Sequence, residues 1–401
     1  MVETSTNAHS RQRIPALDGF RGLAILMVTI YRFSQLSLGS DVIGEYPSKM
    51  IFLGAAGVDF FFVLSGFLIT GILLDTKSNP KGYFRNFYVR RALRIFPLYY
   101  GSLILFLFLF PMLCNIDSVE KSIQGSHFHL WFYTLNLDVA WRNEWCYGSL
   151  NHYWSLAIEE QFYLLWPFVV LYLPSRSLMR LSLVLLVGFA ALRIGSSACG
   201  IGEVTEKSLT IFRLDGLLLG AIAACWLRNS SAVLKNHHRW RLALLIIGIL
   251  YAATLLLGEN DLTVRYTIVS LFAAVLLLTV LAARPDTYER ILLENPVLRS
   301  LGKYSYAMYV FQLPLIGLVD RWISPTDLRE LCGYPVVAGL AYVALMTAIT
   351  YLLAVCSWHG FESYFLRRGD SSTIDSSMVR SSTRSLARNS TGDCVVHSRK
   401  P

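Results

Sequence analysis

Residues 16–38 read ALDGFRGLAILMVTIYRFSQLSL. The run is long enough to cross the roughly 30 Å hydrocarbon core of a bilayer as one helix, yet it carries Arg21 and Arg32. A guanidinium in hydrocarbon is costly, so an intramembrane charge reads as functional by default. At 1.5 Å and 100° per residue, Arg32 stands about 16 Å above Arg21 on nearly the same helix face.

The rest of the chain repeats this apolar character. Its 401 residues are 54% hydrophobic and 16% charged, with mean hydropathy +0.47, which excludes an ordinary soluble globule. Further apolar windows of membrane length fall near residues 50–74, 95–113, 154–173, 181–199, 208–226, 241–258, 266–283, 301–320 and 336–356. The expected fold is an all-α polytopic membrane protein of about ten transmembrane helices. Lys and Arg collect in alternate connections, above all in 75–94, 227–241, 284–303 and the C-terminal tail. The positive-inside rule therefore puts both termini in the cytoplasm.

Three segments follow: a polar lead at 1–13, a transmembrane domain at 14–367, and a Ser/Thr/Arg-rich tail at 368–401 too poor in apolar residues to fold. The net charge of +9 follows from the cytoplasmic bias and gives no reason to invoke nucleic acid. The first span carries Asp18 and Arg21 and lacks a small-residue cleavage pattern, so no signal peptide is expected to be removed. The seven cysteines show no metal-ligand spacing, so no metal site is expected. Cys114, Cys146, Cys199 and Cys332 fall at or near the outer face, where one or two disulfides of open pairing are conceivable. The longest outer connection, 114–153, carries Trp131, Trp141 and Trp145; it reads either as a cap over the outer mouth or as interfacial aromatic belting.

Depth counted from the ends of the windows places Arg32, Asp59, Glu159, Glu160, Arg193, Arg213 and Asp215 in the outer half. Two readings stay open: a wet polar chamber facing outward, or a neutralised ion-pair network that sets helix register. On the inner side, YFRNFYVRRALRIFPLYY (83–100) presents Arg85, Arg90, Arg91 and Arg94. On a helix, Arg90 and Arg91 each lie within one turn of Arg94, a fork suited to bidentate phosphate contacts. Anchoring to anionic headgroups is the alternative.

Six runs carry a resemblance: LDGFRGLAIL (17–26), GVDFFFVLSGFLI (57–69), FYVRRALRIFPLYY (87–100), HYWSLAIEEQFYLLWP (152–167), FRLDGLLLGA (212–221) and LGKYSYAMYVFQLP (301–314). Together, over about residues 12–367, they resemble the acyltransferase-3 family of integral membrane O-acyltransferases. The resemblance implies a multi-pass protein of the cytoplasmic membrane that moves an acyl group, often acetyl, from cytoplasmic acyl-CoA to a hydroxyl of a carbohydrate, lipid-linked glycan or other cell-envelope acceptor. Acyl-CoA is then a co-substrate, and no tightly bound cofactor is implied. Arg91 and Arg94, with Arg90 and Arg21 beside them, are implied in acyl-CoA binding. Asp59 and Ser65 fall on the second-helix motif, Trp154, Ser155 and Glu159 on WSLxxE, and Arg213 and Asp215 on the sixth-span motif.

Two departures bear on mechanism. The family pattern has a histidine eleven residues after the first arginine, read as the base that activates the acceptor; here that position is Arg32. A second frequent histidine is Gln312. A guanidinium stays protonated and cannot serve as a base. Arg32 is then left to stabilise an oxyanion or to pair with Asp59, and proton removal passes to Glu159, Asp59 or His152, although His152 is equally open to a place in the outer water. The leading expectation is an O-acyltransferase. Its alternatives are a catalytically impaired protein of the same fold and a transporter-like glycan or acyl exporter.

Overall fold

The computed structural model describes residues 14–38, 40–44, 52–78, 81–114, 123–230, 232–256 and 262–371. Among them the only β-pairing is one isolated bridge between Ile123 and Tyr147. Ten helices of fifteen or more residues build the body: α1 Pro15–Ser37, α2 Gly57–Thr76, α3 Tyr83–Ile104, α4 Trp154–Tyr172, α5 Ser175–Ala198, α6 Asp215–Asn229, α7 His237–Leu256, α8 Leu262–Ala282, α9 Pro296–Val319 and α10 Pro335–Ser357. Each coincides with one of the ten apolar stretches. Five helical segments, Leu53–Thr76, Tyr83–Met112, Ser175–Ala198, Val264–Ala282 and Pro335–Arg367, are long and apolar enough to cross a membrane.

α1 begins at Pro15, whose missing N–H and fixed φ suit a first helical position. Phe20, Ala24, Ile25 and Val28 form its buried stripe at three- and four-residue intervals. That stripe packs on α2, where Phe20 stacks on Phe60 at 5.3 Å; a neighbouring face meets α9 closely, because a Cβ added at Gly22 would overlap the backbone of Leu298 and one at Gly302 the backbone of Asp18. The same device joins α2 to α6. Gly216 and Gly220 form a GxxxG pair, and a Cβ at Gly220 or at Gly66 would collide with the backbone of the facing helix. Small residues let helices approach in lipid, where hydrophobic driving force between them is absent. This approach of α2 to α6 carries Asp59 to Arg213.

Apolar side chains also point outward, among them Val184 and Val187 on α5 and Leu245 and Ile249 on α7. Such faces suit acyl chains rather than water.

None of the described residues of the connection 123–153 lines either of the two cavities described below. Its helices His127–Trp131 and Leu135–Arg142 pack on α3 and α4, where Tyr99 and Tyr100 donate to the carbonyls of Leu130 and Trp131 and Gln161 donates to Tyr133 O and Asn136. The expected disulfides are absent among the described residues. Cys146, Cys199 and Cys332 are free, Cys146 being buried against Asp138 with its Sγ 3.8 Å from the carboxylate; the side chain of Cys114 lies outside the described residues. A last helix, Ser363–Ser371, passes the boundary expected at residue 367. The lead 1–13 and the tail from 372 onward lie outside the described residues.

Candidate active site

Of the seven charges expected in one outer chamber, Glu159 and Glu160 line one cavity, Arg32, Asp59 and Arg213 line another, and Arg193 and Asp215 line neither. The first turn of α4 follows Leu150, His152 and Tyr153, all buried, with Tyr153 Oη 2.8 Å from Ser102 Oγ of α3. α4 therefore begins among buried residues, and Glu159 lines a different cavity from Arg32.

The first cavity, partly open, is lined by Arg21 of α1, Ser65 of α2, Arg91 and Arg94 of α3, and Ser155 and Glu159 of α4. Ser65 Oγ donates to Glu159 Oε1 at 2.9 Å, and Tyr163 Oη donates to Oε2 at 3.0 Å. Tyr163 sits four residues after Glu159, one helical turn on. Arg91 lies over the Tyr163 ring at 5.5 Å, so hydroxyls and a guanidinium surround the carboxylate. Arg21 is held by Asp18 at 2.8 Å. Across the floor, Ser155 Oγ and Tyr309 Oη are 2.6 Å apart, and Tyr309 donates to His152 O at 2.9 Å. Glu160, Tyr163, Tyr306 and Tyr309 also line this cavity. The tyrosines were missed as site residues, because a tyrosine on an apolar helix reads as interfacial belting until its partner is known.

The second cavity, also partly open, is lined by Arg32 of α1, Asp59 of α2, Trp154 of α4, Lys207, Arg213 and the α8 residues Arg265 and Tyr266. The expected Arg32–Asp59 pair does not form. Asp59 accepts instead from Arg213 at 2.9 Å and from Ser270 at 3.4 Å, and no carboxylate among the described residues forms an ion pair with Arg32. Arg213 is enclosed by rings, with Tyr266 at 3.6 Å, Trp154 at 5.5 Å and Phe62 at 6.0 Å. Lys207 lies between α5 and α6, on the helix Glu203–Ser208. Burial, then the positive charges of Arg32 and Arg213, push its ammonium down to about 8.

Four candidates line neither cavity. Arg90 turns away from the first. Asp215 pairs with Arg193 at 2.7 Å, and Thr267 donates to the same oxygen at 2.5 Å, so the two form a buried ion pair between α5 and α6. Gln312 donates to Thr29 Oγ1 at 2.6 Å and ties α9 to α1. His152 does not face outer water: it is 2% exposed, and its Nδ1 is 2.9 Å from Ser149 O. Burial first, and Arg32 second, hold its imidazole down at about 3.

The two cavities share Val58 and are lined by the consecutive residues Trp154 and Ser155. The cavity that holds Glu159 and Glu160 among arginines therefore backs onto a second cleft lined by Arg32, Lys207 and Arg213.

A family model described as an acyltransferase domain matches residues 14–358. The O-acetyltransferase OatA of Staphylococcus aureus is 28% identical over 367 residues, 86% of this chain and 57% of that protein. The peptidoglycan O-acetyltransferase OatA of Listeria monocytogenes is 26% identical over 388 residues, 91% of this chain and 57% of that protein. A putative O-acetyltransferase of S. aureus is 27% identical over 333 residues, 77% of this chain and 52% of that protein. The chain thus spans a little over half the length of these relatives. No solved structure matches. With the helical body, its membrane-length helices and the match over nearly all of that body, the chain is a multi-pass membrane protein that belongs to the acyltransferase-3 family.

Proposed function

We propose that the protein transfers an acetyl group from acyl-CoA to a hydroxyl of a cell-envelope glycan. The observation that carries this reading is the cavity that joins the Glu159 carboxylate to Arg21, Arg91 and Arg94. Guanidinium groups on one wall suit the phosphates of CoA, and a carboxylate in a partly closed cavity suits proton transfer. The Lys/Arg-rich connections support placing the Arg91 end in the cytoplasm, where acyl-CoA is found, with both termini there and all ten long helices crossing the membrane. The names of the relatives, O-acetyltransferase and peptidoglycan O-acetyltransferase, support acetyl as the group and a wall glycan as the acceptor class.

The acceptor comes through the Arg32 cavity and meets the thioester where the two cavities adjoin, near Val58 and Ser155. Its hydroxyl oxygen attacks the thioester carbonyl carbon while Glu159 takes the hydroxyl proton. The tetrahedral adduct expels CoA as a thiolate, which takes that proton back from Glu159. A C–O ester bond has replaced the C–S bond. Glu159 keeps free lone pairs for the proton, because the Ser65 and Tyr163 bonds occupy two of about four acceptor sites.

A second reading, a catalytically impaired member of the family, is favoured by Arg32 at the position of the family's base. Purified full-length chain in nanodiscs, given radiolabelled acetyl-CoA and peptidoglycan fragments, separates the two. Acceptor-dependent labelling by the wild type supports the enzyme. A silent wild type beside an active Arg32→His variant supports the impaired protein.

A further inference from the structure

The second cavity carries more positive charge than its carboxylates balance. Arg32, Lys207 and Arg213 line it against Asp59 and Glu203. Asp59 is committed to Arg213 and Ser270. Glu203 is exposed and forms no ion pair with Arg32 or Lys207 among the described residues. Arg213 is 3% exposed, and its Nε and Nη1 find no hydrogen-bond partner there. Unmade hydrogen bonds on a buried cation are costly, and a cleft of one sign with low-dielectric walls concentrates its counter-ion.

The walls are aromatic as well as cationic. Tyr31, Trp154, Tyr251 and Tyr266 line the same space, which offers flat apolar faces to a ring beside charged donors for a substituent. Apolar surface with a few convergent polar groups is the usual make-up of a small-molecule site.

From this juxtaposition we infer that the Arg32 cavity binds an acidic sugar unit, a pyranose bearing a carboxylate or a phosphate, with Arg32 and Lys207 on the anion and the aromatic residues on the ring. The inference rests on the reading of this cavity as the acceptor's route and narrows the acceptor to an anionic glycan. It also gives Arg32 a task that a neutral imidazole performs poorly, because a guanidinium stays charged and binds carboxylates and phosphates bidentately.

The test is equilibrium binding to the full-length chain in zwitterionic nanodiscs, read by tryptophan fluorescence, since Trp154 lines the cavity. Glucuronate, glucose 1-phosphate and glucose are the probes. Both anions should saturate the signal with affinities at least tenfold above that of glucose, and the stronger of the two identifies the anion as carboxylate or phosphate. Arg32→Gln should weaken the anions at least tenfold, while Arg32→Lys retains most of the affinity and controls for folding. Equal binding of glucose and the anions would overturn the inference. So would unchanged anion affinity in a folded protein carrying both Arg32→Gln and Lys207→Met. Anion-selective binding by a protein that transfers no acetyl keeps this inference and removes the acyltransferase reading. Transfer to glycans with no preference for anionic ones removes this inference and leaves that reading.

Discussion

Ser65 on α2 donates to Glu159 on α4 at 2.9 Å, so the helix that carries Asp59 in one cavity also positions the carboxylate of the other. Six residues separate Asp59 from Ser65, about 9 Å along the helix axis. That interval is the distance in depth between a cationic cleft and a candidate base.

Arg91 and Arg94 line the Glu159 cavity whereas Arg90 does not. Replacing both, Arg91→Ala with Arg94→Ala, removes charge-assisted hydrogen bonds worth roughly 1.5–3 kcal/mol each. The KM for acetyl-CoA should rise about a hundredfold or more, with a smaller change in kcat. Arg90→Ala should leave the KM within about twofold. A steady-state titration of acetyl-CoA checks both, and equal effects at Arg90 and Arg91 would contradict the placement.

The buried Arg193–Asp215 pair should be structural. Breaking it with Asp215→Asn leaves a charge in low dielectric and should cost about 3–5 kcal/mol. Replacing both residues by apolar ones of similar volume, Arg193→Met with Asp215→Leu, should recover much of that loss. Thermal unfolding in detergent is the readout. Recovery of Tm without the pair would show that helix register does not depend on it.

Helix approach through glycine should be equally strict. Gly66→Leu places a side chain in the backbone of Leu217, an overpacking that costs about 1–3 kcal/mol at minimum. Gly188→Ala on α5 meets open space and should be neutral. Monodisperse yield on gel filtration distinguishes them.

Much of this fold was legible in the sequence. Among the described residues each of the ten apolar stretches contributes a long helix, five of them in segments long and apolar enough to cross a membrane, because in lipid a backbone must satisfy its own hydrogen bonds. The six family runs also marked Ser65, Arg91, Arg94, Ser155 and Glu159, which the fold brings to one cavity. What was not legible was grouping and partnership. Counting from residue 154 grouped Glu159 with Arg32, yet the two line different cavities. Asp59 meets Arg213, 154 residues away, because Gly66 and Gly220 let α2 and α6 touch. No local pattern announces that choice over Arg32.

Lys207 gives the second cavity a pH response. Its ammonium is held down to about 8 by burial and by Arg32 and Arg213, with Glu203 and Asp59 acting in the opposite sense and Arg265 on the same wall. The charged form predominates below that value and is lost above it. Glucuronate stays anionic throughout, so its affinity should fall as pH rises from 7 to 9, by roughly tenfold if one full contact of about 1.4 kcal/mol is lost. Lys207→Met should flatten the profile. Binding that strengthens over this range would contradict the assignment.

In the proposed mechanism Glu159 carries the proton in acyl transfer, and Glu159→Gln probes that role because the amide preserves shape while removing the base. Radiolabelled acetyl transfer from acetyl-CoA to a peptidoglycan fragment should fall by about 10²–10⁴-fold in a variant whose acetyl-CoA affinity and Tm match the wild type. A folded Glu159→Gln protein that transfers acetyl at the wild-type rate would contradict it.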